Sequence, residues 1–173
     1  LSSSIPTKGR DIYVLGLRNQ HAVEKQAIEL LKRQVGRLES YPEMRDRIQR
    51  HIEESHEQAR RLDELLAAQD TSRSAFKDTM MSFVGNLAAL GHSVAPDEVL
   101  KNSLANFAFE HYEIASYSSL LTLAEVVGER SAQTALSLSL REEKEMAQWI
   151  ADHLDGTVRR FVQRSAAGQK AGV

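Results

Sequence analysis

No cysteine occurs among the 173 residues. That single absence excludes disulfides, thiolate catalysis, Cys-ligated zinc and iron–sulfur clusters, so any metal has to be held by histidine and carboxylates. Proline and glycine are scarce, 3 and 9 residues, and they punctuate long stretches rather than break them up. Neither sign of charge dominates: 22 basic residues nearly cancel 24 acidic ones. Without a basic patch or run, nucleic acid and polybasic membrane binding are not expected. No apolar run approaches the roughly 18 residues of a membrane span, and the opening LSSSIPTKGR has no apolar signal-peptide core. A cytoplasmic protein is the expectation.

What is present is helical periodicity over almost the whole chain, with 42% hydrophobic and 27% charged residues, the balance of a single domain with a sizeable core. In the first predicted helix, 11–38, Leu17, Glu24, Ala27, Ile28, Leu31, Val35 and Leu38 recur at three- and four-residue steps. Ser40-Tyr41-Pro42 ends it. Pro42 suits a helix start, and a second helix runs to about residue 68 through Met44, Ile48, Ile52, Ala59, Leu62 and Leu66. A third opens on Pro96-Asp97-Glu98, acidic at the positive end of the helix dipole, and closes at Gly128. The fourth spans 131 to about 155, with Asp155-Gly156 read as its end.

The connection from Asp70 to Pro96 is too long for a turn. It carries its own amphipathic piece around Phe76, Met80, Phe83, Val84 and Leu87. Short first and last connections with a long middle one predict an all-α, ferritin-like four-helix bundle whose crossover contains a short extra helix. The domain is expected to be single over 1–173, with its core at about 11–155. A short C-terminal helix, 158–164, and a disordered small-residue tail, SAAGQKAGV, complete it.

Four stretches place glutamate where a bundle helix should be apolar: HAVEKQ with Glu24, HIEESH with Glu53 and His56, FEHYEIASY with Glu110 and Glu113, and LREEKE with Glu143. An ionised carboxylate in an apolar core costs several kcal/mol unless it is paired, so several converging on one core call for shared cations. Bundles with two-metal carboxylate centres use a glutamate from each of two helices and Glu-x-x-His from the other two. On the fourth helix Leu136, Leu140, Glu143, Ala147, Ile150 and Leu154 step by four and three, which puts Glu143 on the core seam. Glu110, Glu113, Tyr117, Leu120 and Ala124 form the equivalent line on the third. The second helix is less clean: its apolar seam is Ile48, Ile52, Ser55, Ala59 and Leu62, with Glu53 at the edge and His56 beside it. Glu53 and His56, three apart, share a face.

Five inward glutamates against two divalent cations leave a site near neutrality. Oxygen-rich ligation with one imidazole favours iron, with manganese or zinc as alternatives. Tyr117 and His21 are expected beside the ligands rather than among them. His51, His92 and His153 have no evident carboxylate set and are read as structural.

HAVEKQ, HIEESHEQ, EHYEIASY followed by LLTLAEVVG, and LREEKE occur in an order that resembles the YciE/YciF family of ferritin-like bacterial proteins, over roughly residues 11–154. The resemblance implies a four-helix bundle with a di-metal centre, a homodimer, and a link to bacterial stress responses. The general ferritin-like pattern would put a second histidine at Met146. Glu110 is expected to compensate, since Glu110-x-x-Glu113 is similar to the paired glutamates of rubrerythrins. Lacking a cysteine-rich electron-transfer domain, any redox cycle needs an external electron donor. Two functions follow: a di-metal protein reacting with peroxide or dioxygen, or a structural, partner-binding bundle whose metal is vestigial or absent.

Overall fold

The computed structural model describes residues 4–69 and 95–173, with side chains from residue 8 onward. The described chain is all-α: α1 (Ser4–Val35), α2 (Pro42–Ala67), α3 (Glu98–Val127) and α4 (Ala132–Ala166). The short helix expected within the long connection lies outside the described residues.

Helix α1 buries Tyr13, Leu17, Gln20, Glu24, Ala27, Ile28 and Leu31 on one stripe, the three-and-four spacing that turns one face inward. Pro42 sits in the first turn of α2, where its missing N–H costs nothing. Gly128 ends α3 in the left-handed conformation, φ 80°. Its N–H bonds Glu125 O, and that of Glu129 reaches Ala124 O at 2.8 Å, the paired bonds of a glycine-terminated helix.

The direction of the helices follows from their end contacts. Arg10 near the start of α1 bonds Glu129 past the end of α3 at 2.7 Å, while Arg37 after α1 makes a two-pronged pair with Glu98 at the start of α3, both bonds 2.6 Å. Helices α1 and α3 therefore run antiparallel. With the two short-turn hairpins also antiparallel, α2 and α3 run the same way, the arrangement of a bundle with one long crossover. One apolar cluster, built on Ile28, Leu31, Ile48, Ile52, Met146 and Ile150, fills the end near the α1–α2 turn. Another, built on Tyr13, Leu17, Leu62, Tyr117, Leu120 and Leu136, fills the other end. The carboxylates lie between the two.

The C-terminal region differs from the expectation. Helix α4 passes through Gly156 without a break to Ala166 and is closed by Gly168, φ 67°, where Gly168 N–H bonds Ser165 O and Gln169 N–H bonds Arg164 O. An exposed glycine costs a helix only about 1 kcal/mol relative to alanine, and continuing buries Thr157 and packs Phe161 on the core. The tail is also packed. Ala171 and Val173 are buried, the Tyr41 hydroxyl donates to Ala171 O at 2.6 Å, and Val99 N–H donates to Gly172 O at 3.0 Å. The tail thus satisfies one of the free N–H groups in the first turn of α3.

Candidate metal centre

Five ionisable side chains from all four helices meet in the interior: Glu24 from α1, His51 from α2, Glu110 and Glu113 from α3, and Glu143 from α4, each no more than 2% exposed. His51, Glu110 and Glu143 each offer a ligand atom within 4.8 Å of the others, a group that could hold a metal ion. His51 Nε2 lies 3.2 Å from Glu110 Oε2 and 3.7 Å from Glu143 Oε2.

Each group is held by neighbours. The Tyr117 hydroxyl donates to Glu24 Oε1 at 2.5 Å. Gln20 Nε2 donates to Glu24 Oε1 at 3.0 Å and to Glu113 Oε1 at 3.1 Å, tying α1 to α3. On α2, Glu54 Oε2 sits 2.8 Å from His51 Nδ1 and 3.1 Å from Arg47 Nη1. Carboxylates only accept, so Glu54 fixes the proton on Nδ1 and leaves Nε2 facing the centre.

Electrostatics follow from burial. Burial pushes the Glu24 carboxyl up to about 7, against the hydrogen bonds from Tyr117 and Gln20 that favour its ionised form. Glu113 and Glu143 are driven well above the usual carboxylate range, by burial first and by neighbouring carboxylates next, with His51 pulling Glu143 the other way. Burial opposes the charge on His51 and on Glu110. Their attraction for each other wins, so His51 is raised well above its ordinary value and Glu110 is lowered. Glu143 is close enough to Glu110 and Glu113 for carboxyl–carboxyl hydrogen bonds, which exist only while one member of each pair keeps its proton. With the carboxylates ionised, Glu24 Oε2, Glu113 Oε2 and both Glu143 oxygens have no hydrogen-bond donor among the described residues, and Glu110 Oε2 faces only the His51 imidazole. Four buried oxygens without donors fit a cation as their common partner.

The structure therefore gathers Glu24, Glu110, Glu113 and Glu143, but not the expected pair from α2. Glu53 and His56 lie on the exposed face of that helix. His51, read from sequence as structural, stands inside, with Glu54 rather than Glu53 bonded to it. The line Ile48, His51, Ser55, Gln58, Leu62 steps by three and four and is buried throughout, a heptad signal that spans His51 once polar residues are allowed on the seam. His51-x-x-Glu54 also has the spacing of Glu-x-x-His in reverse. Tyr117, on the Glu113 seam, touches Glu24. His21 does not reach the cluster; its Nε2 faces Asp63 at 3.1 Å. Met146, where a second histidine would have been needed, is buried in the apolar cluster beside Ile48.

Fold and cluster together define a four-helix bundle with a buried carboxylate–imidazole centre. Residues 8–163 match a family described as a domain of unknown function, DUF892. The chain is 30% identical over 138 residues to the protein YciF of Escherichia coli K12, covering 78% of this chain and 82% of that one. The chain belongs to the YciE/YciF family. Its structure is similar to the crystal structure of the E. coli stress protein YciF, with TM-score 0.75, 27% identity, and 88% of this chain and 98% of that one covered. It is also similar to that of a Xanthomonas campestris pv. campestris protein, with TM-score 0.76, 30% identity, and 91% and 99% covered. No described helix is long and apolar enough to cross a membrane.

Proposed function

We propose that this chain is a di-metal carboxylate protein, holding two divalent ions, iron by preference and manganese or zinc as alternatives, and reacting with peroxide or dioxygen as part of a bacterial stress response. The observation that carries the reading is the set of donor-less carboxylate oxygens converging from three helices on one imidazole. Charge supports the number: with His51 neutral, four buried carboxylates balance two divalent cations. Glu24, His51, Glu110, Glu113 and Glu143 would hold the pair. Glu53 and His56 could reach it only by a turn of α2 that brings Ile48 or Ile52 to the surface.

Hard oxygen ligands with one imidazole suit iron and manganese, and such a pair, when bound, supplies the electrons and Lewis acidity that reduction of peroxide or dioxygen requires. The protein's part is positional. Tyr117 and Gln20 hold Glu24 and Glu113 at fixed points, Glu54 and Arg47 hold the imidazole, and the two apolar clusters exclude bulk water. The electron donor is external. The stress-response part is consistent with the similarity to a protein called a stress protein, and a cytoplasmic homodimer completes the proposal.

A second reading is favoured by one observation: without metal the cluster is self-consistent, His51 paired with Glu110 and protons shared among the other carboxyls. A structural, partner-binding bundle would need nothing more. Elemental mass spectrometry of protein purified without added metal or chelator separates the two. Two irons or manganese ions per chain, lost in a Glu113→Gln/Glu143→Gln double variant, support the metal protein; no metal even after anaerobic reconstitution supports the binding bundle.

A further inference from the structure

One turn from the carboxylates, toward the start of α1, the bundle seam carries polar residues where apolar ones would pack: Gln20 on α1, Ser55 and Gln58 on α2 and Ser139 on α4, all no more than 1% exposed. Ser139 is accounted for, since its Oγ accepts from Arg61 at 3.1 Å. The other three are not. Gln20 Oε1, Ser55 Oγ and Gln58 Oε1 are buried with no hydrogen-bond partner among the described residues.

Chemistry decides which amide atoms these are. Gln58 Nε2 faces Glu142 Oε2 at 3.0 Å, and that carboxylate is committed to Arg61 through bonds of 2.7 and 2.9 Å. A carboxylate accepts only, so the nitrogen must face it and the carbonyl is the atom left inside. The same holds for Gln20 against Glu24 and Glu113 once those are ionised. Leu17 and Leu62 share the apolar cluster at one end of the bundle and Ile28 and Ile48 the cluster at the other, which sets Gln20 level with Gln58 in the antiparallel α1–α2 hairpin. Ser55 and Gln58, three apart, share one face of α2. Two carbonyl oxygens and a hydroxyl, all buried without a partner among the described residues, thus lie at one level of the interior, one turn from the candidate metal centre.

We propose that Gln20, Ser55 and Gln58 form a binding site for a small neutral O–H donor, water at rest and hydrogen peroxide as it approaches the centre. An acceptor-rich lining calls for a ligand with at least two donors and disfavours anions. Dioxygen has no O–H to offer, so the lining selects peroxide. The peroxide assignment rests on the metal reading for its meaning, while the site itself does not.

Ser55→Ala removes one hydroxyl and no metal-holding group. If a bound molecule bridges these atoms, the variant lowers Tm by about 2–4 °C in metal-free protein. An unchanged or higher Tm, the result for an oxygen that was simply unpaired, overturns the site. A crystal structure of metal-free wild-type protein is expected to show one water-sized density within hydrogen-bond distance of at least two of the three atoms. A side chain filling the position, or a cation at ligand distances, overturns it. Soaking those crystals in hydrogen peroxide should lengthen the density to two atoms; density that stays single overturns the peroxide assignment. Metal content is measured separately, so failure here and failure of the metal reading are distinct results.

Discussion

At the scale of single residues, the centre is governed by how four acids share one interior. Glu24 titrates near 7 rather than at its ordinary 4.5, with Glu113 and Glu143 also raised. Between the unfolded and folded values the native state binds more protons than the unfolded chain, so stability must fall as pH rises through that window. His51, raised as well, adds a loss of the same sign above its ordinary value. Metal-free protein is therefore expected to have a lower Tm at about pH 8 than at about pH 5.5, by thermal melts in matched ionic strength; a rise would contradict the buried cluster. Ligation can be tested one side chain at a time. His51→Ala should abolish metal retention, whereas Glu53→Ala with His56→Ala should leave the metal count unchanged by elemental analysis. The reverse result would require α2 to be rotated from the orientation described.

Among the elements, α4 and α3 show how differently two glycines act. Gly156 is exposed within a continuous helix and has open space around it. Gly156→Ala is expected to stabilise the protein by about 0.5–1 kcal/mol, read as a higher Tm. Gly128 also has space for a methyl group but holds φ at 80°, so Gly128→Ala should cost about 1 kcal/mol. In the sequence, Asp155-Gly156 and Gly128 both read as helix ends. The difference is tertiary: residues after Gly156 gain buried contacts by staying helical, and residues after Gly128 must turn back to form the α3–α4 hairpin. The four core helices were legible because their apolar steps are long and regular. The facing of α2 was less so, since its inward seam carries His51, Ser55 and Gln58 among the apolar residues.

For the molecule as a whole, the C-terminal tail is a fastening. It joins the α1–α2 turn at Tyr41 to the first turn of α3 at Val99, two places far apart in sequence. Gly172 lies so close to α3 that an added Cβ would stand 2.4 Å from Pro96 O. Gly172→Ala should displace the tail and lower stability by about 1–3 kcal/mol, with hydrogen exchange accelerated at Val99. Unchanged exchange there would mean that the tail does not cap α3.

The sequence by itself determined the helical class, the pairing of helices into two hairpins and the glutamates of α1, α3 and α4, because periodicity and buried-charge cost act locally along each helix. Which residues α2 contributes was decided only by packing. Ile48, Ile52 and Leu62 had to enter two apolar clusters at once, and that rotation carries His51 inward and Glu53 and His56 outward. The tail was decided the same way: SAAGQKAGV has too little apolar surface to order itself, and it is held because Tyr41 and Val99 present a donor each and a groove that only glycine fits.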